Sequence, residues 1–197
     1  MLFRSGVLLS PHLLELTRWV ADYYLAPPGE VVAAALPGGN DGLARSLARR
    51  HALEDRVLRM PIPERVTLTP AQREACIAVD EAIGTGGFQP FLLHGVTASG
   101  KTEVYLRAAR AAREAGGQAL ILVPEVALAA QVVAVFEKRF GGRVGALHSY
   151  LPVGTRRRNW ELARRGALDV IVGARSAVFA PLPNPKLIVV EIGRAHV

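Results

Sequence analysis

Gly95-Val96-Thr97-Ala98-Ser99-Gly100-Lys101-Thr102 sets two glycines, a lysine and a hydroxyl at the spacing G-x-x-x-x-G-K-[ST]. Each residue type has a use in that pattern. Glycines let the backbone turn and aim its N–H groups at oxyanions, and a helix beginning at the lysine adds the partial positive charge of its amino end. The Lys101 ammonium reaches the β- and γ-phosphates of a nucleotide, and the Thr102 hydroxyl is placed for the Mg²⁺ that accompanies ATP. The implied chemistry is nucleotide phosphate binding by Gly95, Val96, Thr97, Ala98, Ser99, Gly100, Lys101 and Thr102, the last two acting on phosphate and metal. The bland alternative is a glycine-rich turn whose lysine is solvated, and the flanks argue against it.

A phosphate loop needs a strand before it and a helix after it. Residues 90–94, Pro-Phe-Leu-Leu-His, form a short apolar run suited to a buried parallel strand, and 103–114 have helical composition. Upstream, Thr69 is a good N-cap for a helix over 70–83, with Pro70 at its first position and Gln72 in its first turn; 84–87 close it with glycines. Downstream the pattern predicts strands at 118–123, 143–147, 169–172 and 186–190, with helices at 125–140 and 155–165 between them. Alternating strands and helices mean an α/β domain with a parallel sheet covered on both faces. Ligands in such sheets bind beyond the carboxyl ends of the strands, where Pro124 and Glu125, His148 and Ser149, and Arg175 and Ser176 all fall.

The first third reads differently. Residues 11–25 carry Leu13, Leu14, Leu16, Trp19, Val20 and Tyr23 as a helical stripe. The aromatic group Trp19, Tyr23 and Tyr24 could stack nucleic-acid bases, but packing of an amphipathic helix on a neighbour is the preferred reading. A second short helix is expected over 29–36, and 40–59, rich in Arg, Leu and Ala, reads as a connector.

With 197 residues and 50% hydrophobic content, the chain has room for one large or two small domains and a real core. No apolar run reaches the roughly 18 residues of a membrane span, and no signal-peptide pattern opens the chain, so a cytoplasmic protein with no membrane partner is expected. Cys76 is the single cysteine. It excludes an internal disulfide and a cysteine-based metal cluster within this segment, and is expected to be a small buried hydrophobe. The charge of +7, from 24 Lys plus Arg against 17 Asp plus Glu, makes a polyanionic partner plausible without requiring one.

Four stretches together resemble successive helicase motifs of the PriA family, the primosomal N′ proteins that restart stalled replication forks. They are Gly95-Val96-Thr97-Ala98-Ser99-Gly100-Lys101-Thr102-Glu103-Val104-Tyr105, Leu122-Val123-Pro124-Glu125-Val126-Ala127-Leu128, Leu147-His148-Ser149, and Val172-Gly173-Ala174-Arg175-Ser176-Ala177-Val178-Phe179. Upstream, Trp19-Val20-Ala21-Asp22-Tyr23-Tyr24, Gly29-Glu30-Val31 and Ala35-Leu36-Pro37 are similar to the end of the DNA-binding region that precedes the helicase core in that family. The resemblance implies a RecA-like P-loop lobe, the first of two and incomplete, over 67–190. A small helical segment at 6–37, ending the DNA-binding region, precedes it.

The same resemblance implies roles for matching residues. Gln72, in Leu68-Thr69-Pro70-Ala71-Gln72, is similar to the glutamine that reads the adenine edge; a surface glutamine on a first helical turn is the alternative. Pro124, Glu125, His148, Ser149, Arg175 and Ser176 correspond to loops that hold one DNA strand by its phosphates. For His148 a capping or core role weighs equally. Arg156, Arg157, Arg158, Arg164 and Arg165 extend a basic track on one reading and form a solvated helix face on the preferred one. Cofactors implied are ATP and Mg²⁺, with zinc only in a downstream part of the parent. Partners implied are single-stranded and forked DNA, primosome proteins and single-strand-binding protein. The runners-up are another superfamily 2 helicase or translocase, and a non-catalytic ATP- and DNA-binding module.

Two departures qualify the likeness. The family normally has a winged-helix module before the core, yet about 30 residues separate Pro37 from Leu68, so 38–66 read as a linker or a reduced remnant. After 186–190 the family has Asp-Glu-Glu-His, whose Asp holds Mg²⁺ and whose Glu orients water. This chain reads Glu191-Ile192-Gly193-Arg194-Ala195-His196-Val197. That stretch and Met1-Leu2-Phe3-Arg4-Ser5 both match translated sequencing adapter, so 1–5 and 191–197 are expected to be artefact around an internal fragment, and this chain is expected to lack helicase-rate ATP hydrolysis.

Overall fold

The computed structural model describes residues 8–37, 67–96 and 98–192. The expectations for the linker at 38–66, for Thr97 and for most of the two adapter-like ends lie outside these residues.

Two helices start where the sequence supplies a side-chain cap. In α1 (Pro11–Tyr24), the Ser10 hydroxyl accepts from the Leu13 N–H and Pro11 holds the first position; Leu25, at φ 51°, ends it in the left-handed region. Pro27 and Pro28 then start α2 (Pro28–Ala35). A full capping box opens α3 (Pro70–Thr85): Thr69 Oγ1 accepts from Gln72 N at 3.2 Å, and Gln72 Oε1 accepts from Thr69 N at 3.0 Å. The glycine loop leads into α4 (Lys101–Glu114). Strand and helix then alternate through β1 (Gln118–Leu122), α5 (Val126–Phe140), β2 (Val144–Leu147), α6 (Val153–Arg164), β3 (Val170–Gly173) and β4 (Pro185–Val190). A short 3-10 turn, Arg175–Phe179, lies between β3 and β4.

The four strands are parallel in the order β2-β3-β1-β4. Their side-chain alternation divides the core into two layers. On one face Ala119, Ile121, Val123, Val170 and Val172 pack with Phe136 and Phe140 of α5 and with Leu106 and Ala109 of α4. On the other, Leu120, Leu147 and Ile171 meet Trp160 of α6, Phe179 of the 3-10 turn, and Ala21, Val31 and Ala35 of the two N-terminal helices. The helical segment is thus built into the lobe's own core. Trp160 Nε1 donates to Ala35 O at 3.3 Å, and Arg156 Nε donates to Pro37 O at 3.1 Å. Cys76 is buried, as expected.

Two expectations are corrected. The run at 90–94 joins no strand ladder, and Phe91 and Leu92 are exposed, Leu92 by 84%. Its natural neighbour is the open edge of β4, where Ile188 and Val190 on one face are themselves uncovered. A strand added there would gain ladder hydrogen bonds but bury little apolar area, and Pro90 has no N–H to donate. In α1 the stripe does not pack through its aromatics. Thr17 and Ala21 are buried with Leu13, Leu16 and Val20 partly so, whereas Trp19 and Tyr23 are 56% and 66% exposed. Trp19 stacks on Tyr23 at 4.9 Å, and Tyr23 meets Tyr24 edge-on at the same distance. The small residues let the helix axis approach the lobe closely, which favours that side over the bulky one. No helix of the described residues is long and apolar enough to cross a membrane.

Candidate functional site

The phosphate-loop residues form a turn held from three sides. Ala98 (φ 62°) and Gly100 (φ 80°) are both left-handed, the conformation that turns the chain tightly into the helix that follows. Ser99 N donates to Val96 O at 3.2 Å across the turn. Lys101 Nζ donates to Gly95 O at 2.6 Å and Val96 O at 3.0 Å, so the ammonium lies against the loop's own carbonyls. Gln72 braces the far side, its Nε2 donating to Ser99 O at 2.9 Å. A Cβ at position 100 would lie 2.5 Å from that Nε2, so the site needs glycine for space as well as for conformation. The residues therefore suit a nucleoside triphosphate: a tight glycine turn, a helix amino end, a lysine held against the loop, and the exposed Thr102 in the first turn.

Gln72 uses one lone pair of its oxygen to cap α3 and one N–H of its nitrogen to hold Ser99. One amide N–H and one lone pair remain, the pair of groups that reading an adenine edge requires. The sequence pattern marked the residue but not its second partner, 27 positions away.

Glu103 was not singled out as a functional candidate. It is buried two positions after Lys101, accepting from Arg107 Nε at 3.0 Å and from Arg139 Nη2 at 3.2 Å. An acidic residue in the first turn of a helix, with arginine four residues on, is the sequence signal that could have found the first pair. The second ties the phosphate-loop helix to α5, which follows Pro124 and Glu125. Tyr105, one turn further, has its phenol pushed above its usual range by burial and then by the Glu191 carboxylate. The end of β4 thus comes within electrostatic reach of the helix that starts at Lys101.

The other candidates stand on three loops at neighbouring strand ends. Pro124 and Glu125 follow β1, His148 and Ser149 follow β2, and Arg175 and Ser176 follow β3. Glu125, Ser149, Arg175 and Ser176 are exposed, while His148 is buried with its ring edge-on to Tyr150 at 6.4 Å. The strand ends are fastened together: Val123 N donates to Gly173 O at 2.9 Å and Glu191 N to Leu122 O at 2.8 Å. A Cβ on Gly173 would strike the Leu147 carbonyl oxygen, so glycine there lets β2 and β3 close up just before Arg175. Arg156 of the proposed basic track is turned toward Pro37, and Arg164 and Arg165 both bind Glu161; Arg157, Arg158 and Arg165 are its exposed members.

Comparison with known proteins finds relatives over both the helical segment and the lobe. The DEAD/DEAH box helicase family matches residues 69–191, and the 3′ DNA-binding domain (3′BD) of PriA matches residues 2–37. The chain is 45% identical over 139 residues to the replication restart protein PriA of Chlamydia muridarum, covering 71% of this chain and 18% of that protein. For PriA of Bacillus subtilis the identity is 38% over 142 residues, 72% of this chain and 17% of the relative. For that of Treponema pallidum it is 35% over 178 residues, 90% and 26%. The chain therefore spans about a quarter or less of each of these relatives. It belongs to the DEAD/DEAH box helicase family, with its likeness to replication restart protein PriA running through both the helicase stretch and the helical segment ahead of it.

Proposed function

We propose that this chain is the nucleotide-holding lobe, with the adjoining end of the DNA-binding region, of an ATP-dependent DNA helicase that restarts replication. The observation that carries the reading is the phosphate loop: left-handed Ala98 and Gly100 opening a helix, with the Lys101 ammonium held at Gly95 and Val96. Lys101 leaves those carbonyls for the β- and γ-phosphates, an exchange of neutral acceptors for charged ones that favours the bound state. Thr102 would hold the Mg²⁺ that accompanies ATP, and that ion would neutralise phosphate charge and polarise the outer phosphoryl group. Gln72 turns its remaining amide N–H and oxygen lone pair to the adenine edge while keeping its bond to Ser99. Pro124, Glu125, Ser149, Arg175 and Ser176 form the strand-end surface for one DNA strand, held by phosphates and so tolerant of sequence, with His148 supporting it from beneath.

In the parent protein we assign single-stranded and forked DNA, primosome proteins and single-strand-binding protein as partners, and zinc to a different segment. Domain limits of 6–37 and 67–190 go with this reading. Here Glu191 is followed by Ile192, which has no carboxylate to orient water, so nucleotide is bound without hydrolysis at a helicase's rate. The test is a titration of Mg-ATP and Mg-ADP against wild type and Lys101→Ala. Binding should be saturable in the first and lost in the second; equal affinities would refute the phosphate-loop assignment.

A further inference from the structure

The opposite, amino-terminal end of the sheet holds a second polar constellation that the nucleotide reading does not use. Asp169, just before β3, is buried, and its two oxygens take three guanidinium contacts: Arg143 Nε at 2.8 Å, Arg143 Nη2 at 2.7 Å and Arg113 Nε at 3.2 Å. These residues line a cavity of about 410 Å³ together with Gln118, Pro183 and Asn184. That volume lies within the range of small-ligand sites, roughly 300 to 1,000 Å³.

Two features set it apart from a simple ion-pair staple. One carboxylate needs one guanidinium; two are present, and both are about half exposed on the cavity wall. Arg113 is engaged through Nε, which leaves the fork of its two terminal nitrogens available, the geometry that matches a carboxylate or phosphate in two parallel hydrogen bonds.

We propose that this cavity is a second anion site, independent of the phosphate loop, for a small ligand bearing a carboxylate or phosphate. Arg113 receives the anion through its terminal nitrogens. Arg143 keeps Asp169 neutralised, so the wall carries one net positive charge for the ligand to meet. A polynucleotide is not the favoured occupant, because Asp169 stands within the same cluster and only two guanidiniums face the space.

The test titrates inorganic phosphate and, separately, acetate onto the full 197-residue chain carrying Lys101→Ala, followed by calorimetry or amide NMR shifts. Saturable binding is expected to survive Lys101→Ala and to weaken about tenfold or more when Arg113→Met is added, as loss of a forked charge-assisted pair implies. Arg143 still pairs Asp169 in that variant, so its melting temperature should stay close to the parent's. Should it melt early, Arg113→Lys carries the test, with affinity expected between the two. Phosphate binding that strengthens as pH rises through the second ionisation of inorganic phosphate, where the dianion forms, against acetate binding that stays flat, identifies phosphate as the better-suited oxyanion; a flat profile for both identifies the carboxylate. No saturable binding of either anion, loss of binding through Lys101→Ala alone, or affinity unchanged by both Arg113 variants would overturn the proposal.

Discussion

Ile171 of β3 and Ile188 of β4 sit on the same face of the sheet, each paired in register with Leu120 of the strand between them. Ile171 is 0% exposed and Ile188 59%. The strands are almost equally apolar, Val-Ile-Val-Gly against Pro-Lys-Leu-Ile-Val-Val, so composition does not make the difference. Covering does. Over β3 lie α6, the 3-10 turn after it and the helices α1 and α2; over the same face of β4 nothing packs among the described residues, and only its other face, through Leu187 and Val189, enters the core. An apolar run specifies a strand, while what comes back over it specifies whether that strand is buried.

The sharpest way to test that contrast is to truncate both isoleucines. Ile171→Ala should cost about 2 to 5 kcal/mol, the usual range for a fully enclosed aliphatic side chain, and Ile188→Ala less than about 1 kcal/mol. Urea unfolding of the two variants, with the slope of each transition checked for constancy, measures both values. A similar loss at the two positions would mean that the face of β4 is covered after all.

The same contrast explains what could be read from sequence and what could not. Thr69, Pro70 and Gln72 announce the start of α3 because a capping box is closed within four residues, and the phosphate loop is legible for the same reason: its glycines, lysine and hydroxyl act within eight. The strands at 118–122 and 170–173 are legible from apolar runs that happen to be covered. The run at 90–94 is just as apolar but has no covered edge to join, and nothing in its own residues says so. On α1 both Leu13, Leu16 and Val20 and the aromatic pair Trp19 and Tyr23 satisfy helical spacing, and tertiary contact selects the side with Thr17 and Ala21. The Arg113, Arg143 and Asp169 cluster was missed because its members come from the last turn of α4 and from the segments that lead into β2 and β3, united only when strands β1, β2 and β3 are in register.

If the N-terminal helices are part of what buries β3, loosening them should be felt there and not at β4. Trp160→Phe keeps most of the ring volume but removes the N–H that donates to Ala35 O. A loss of about 1 kcal/mol in global stability is expected, that of one buried hydrogen bond, together with faster amide hydrogen exchange in α1 and α2 and unchanged exchange in α4. Uniform acceleration through α4 as well would show that the helical segment and the lobe open as one unit, and the proposed contrast between the two flanks would lose its cause.

The smallest effect tests the outer surface of the covered flank. On α6, Glu161 accepts from Arg164 Nη2 at 2.8 Å, Arg164 Nε at 3.0 Å and Arg165 Nε at 2.7 Å. The hydrogen bonds from Arg164 and then Arg165 hold its carboxyl down, from the ordinary 4.5 to about 2. Because the folded value lies below the unfolded one, the folded chain keeps this carboxylate ionised where the unfolded chain has already taken up its proton. The stabilisation is therefore fully present above the ordinary value and is lost as pH falls from there toward 2. With one third of the Glu161 side chain and two thirds of Arg165 exposed, solvent screening limits the net gain to less than about 1 kcal/mol. The comparison of wild type with Glu161→Gln by thermal or urea unfolding should show a constant small deficit for the variant above pH 5.5 or so. That deficit should shrink steadily through the window between 4.5 and about 2. A deficit as large at the acid end as at neutral pH would mean that Glu161 stabilises α6 by something other than its charge, and the arginines on this face would then be free to serve another partner.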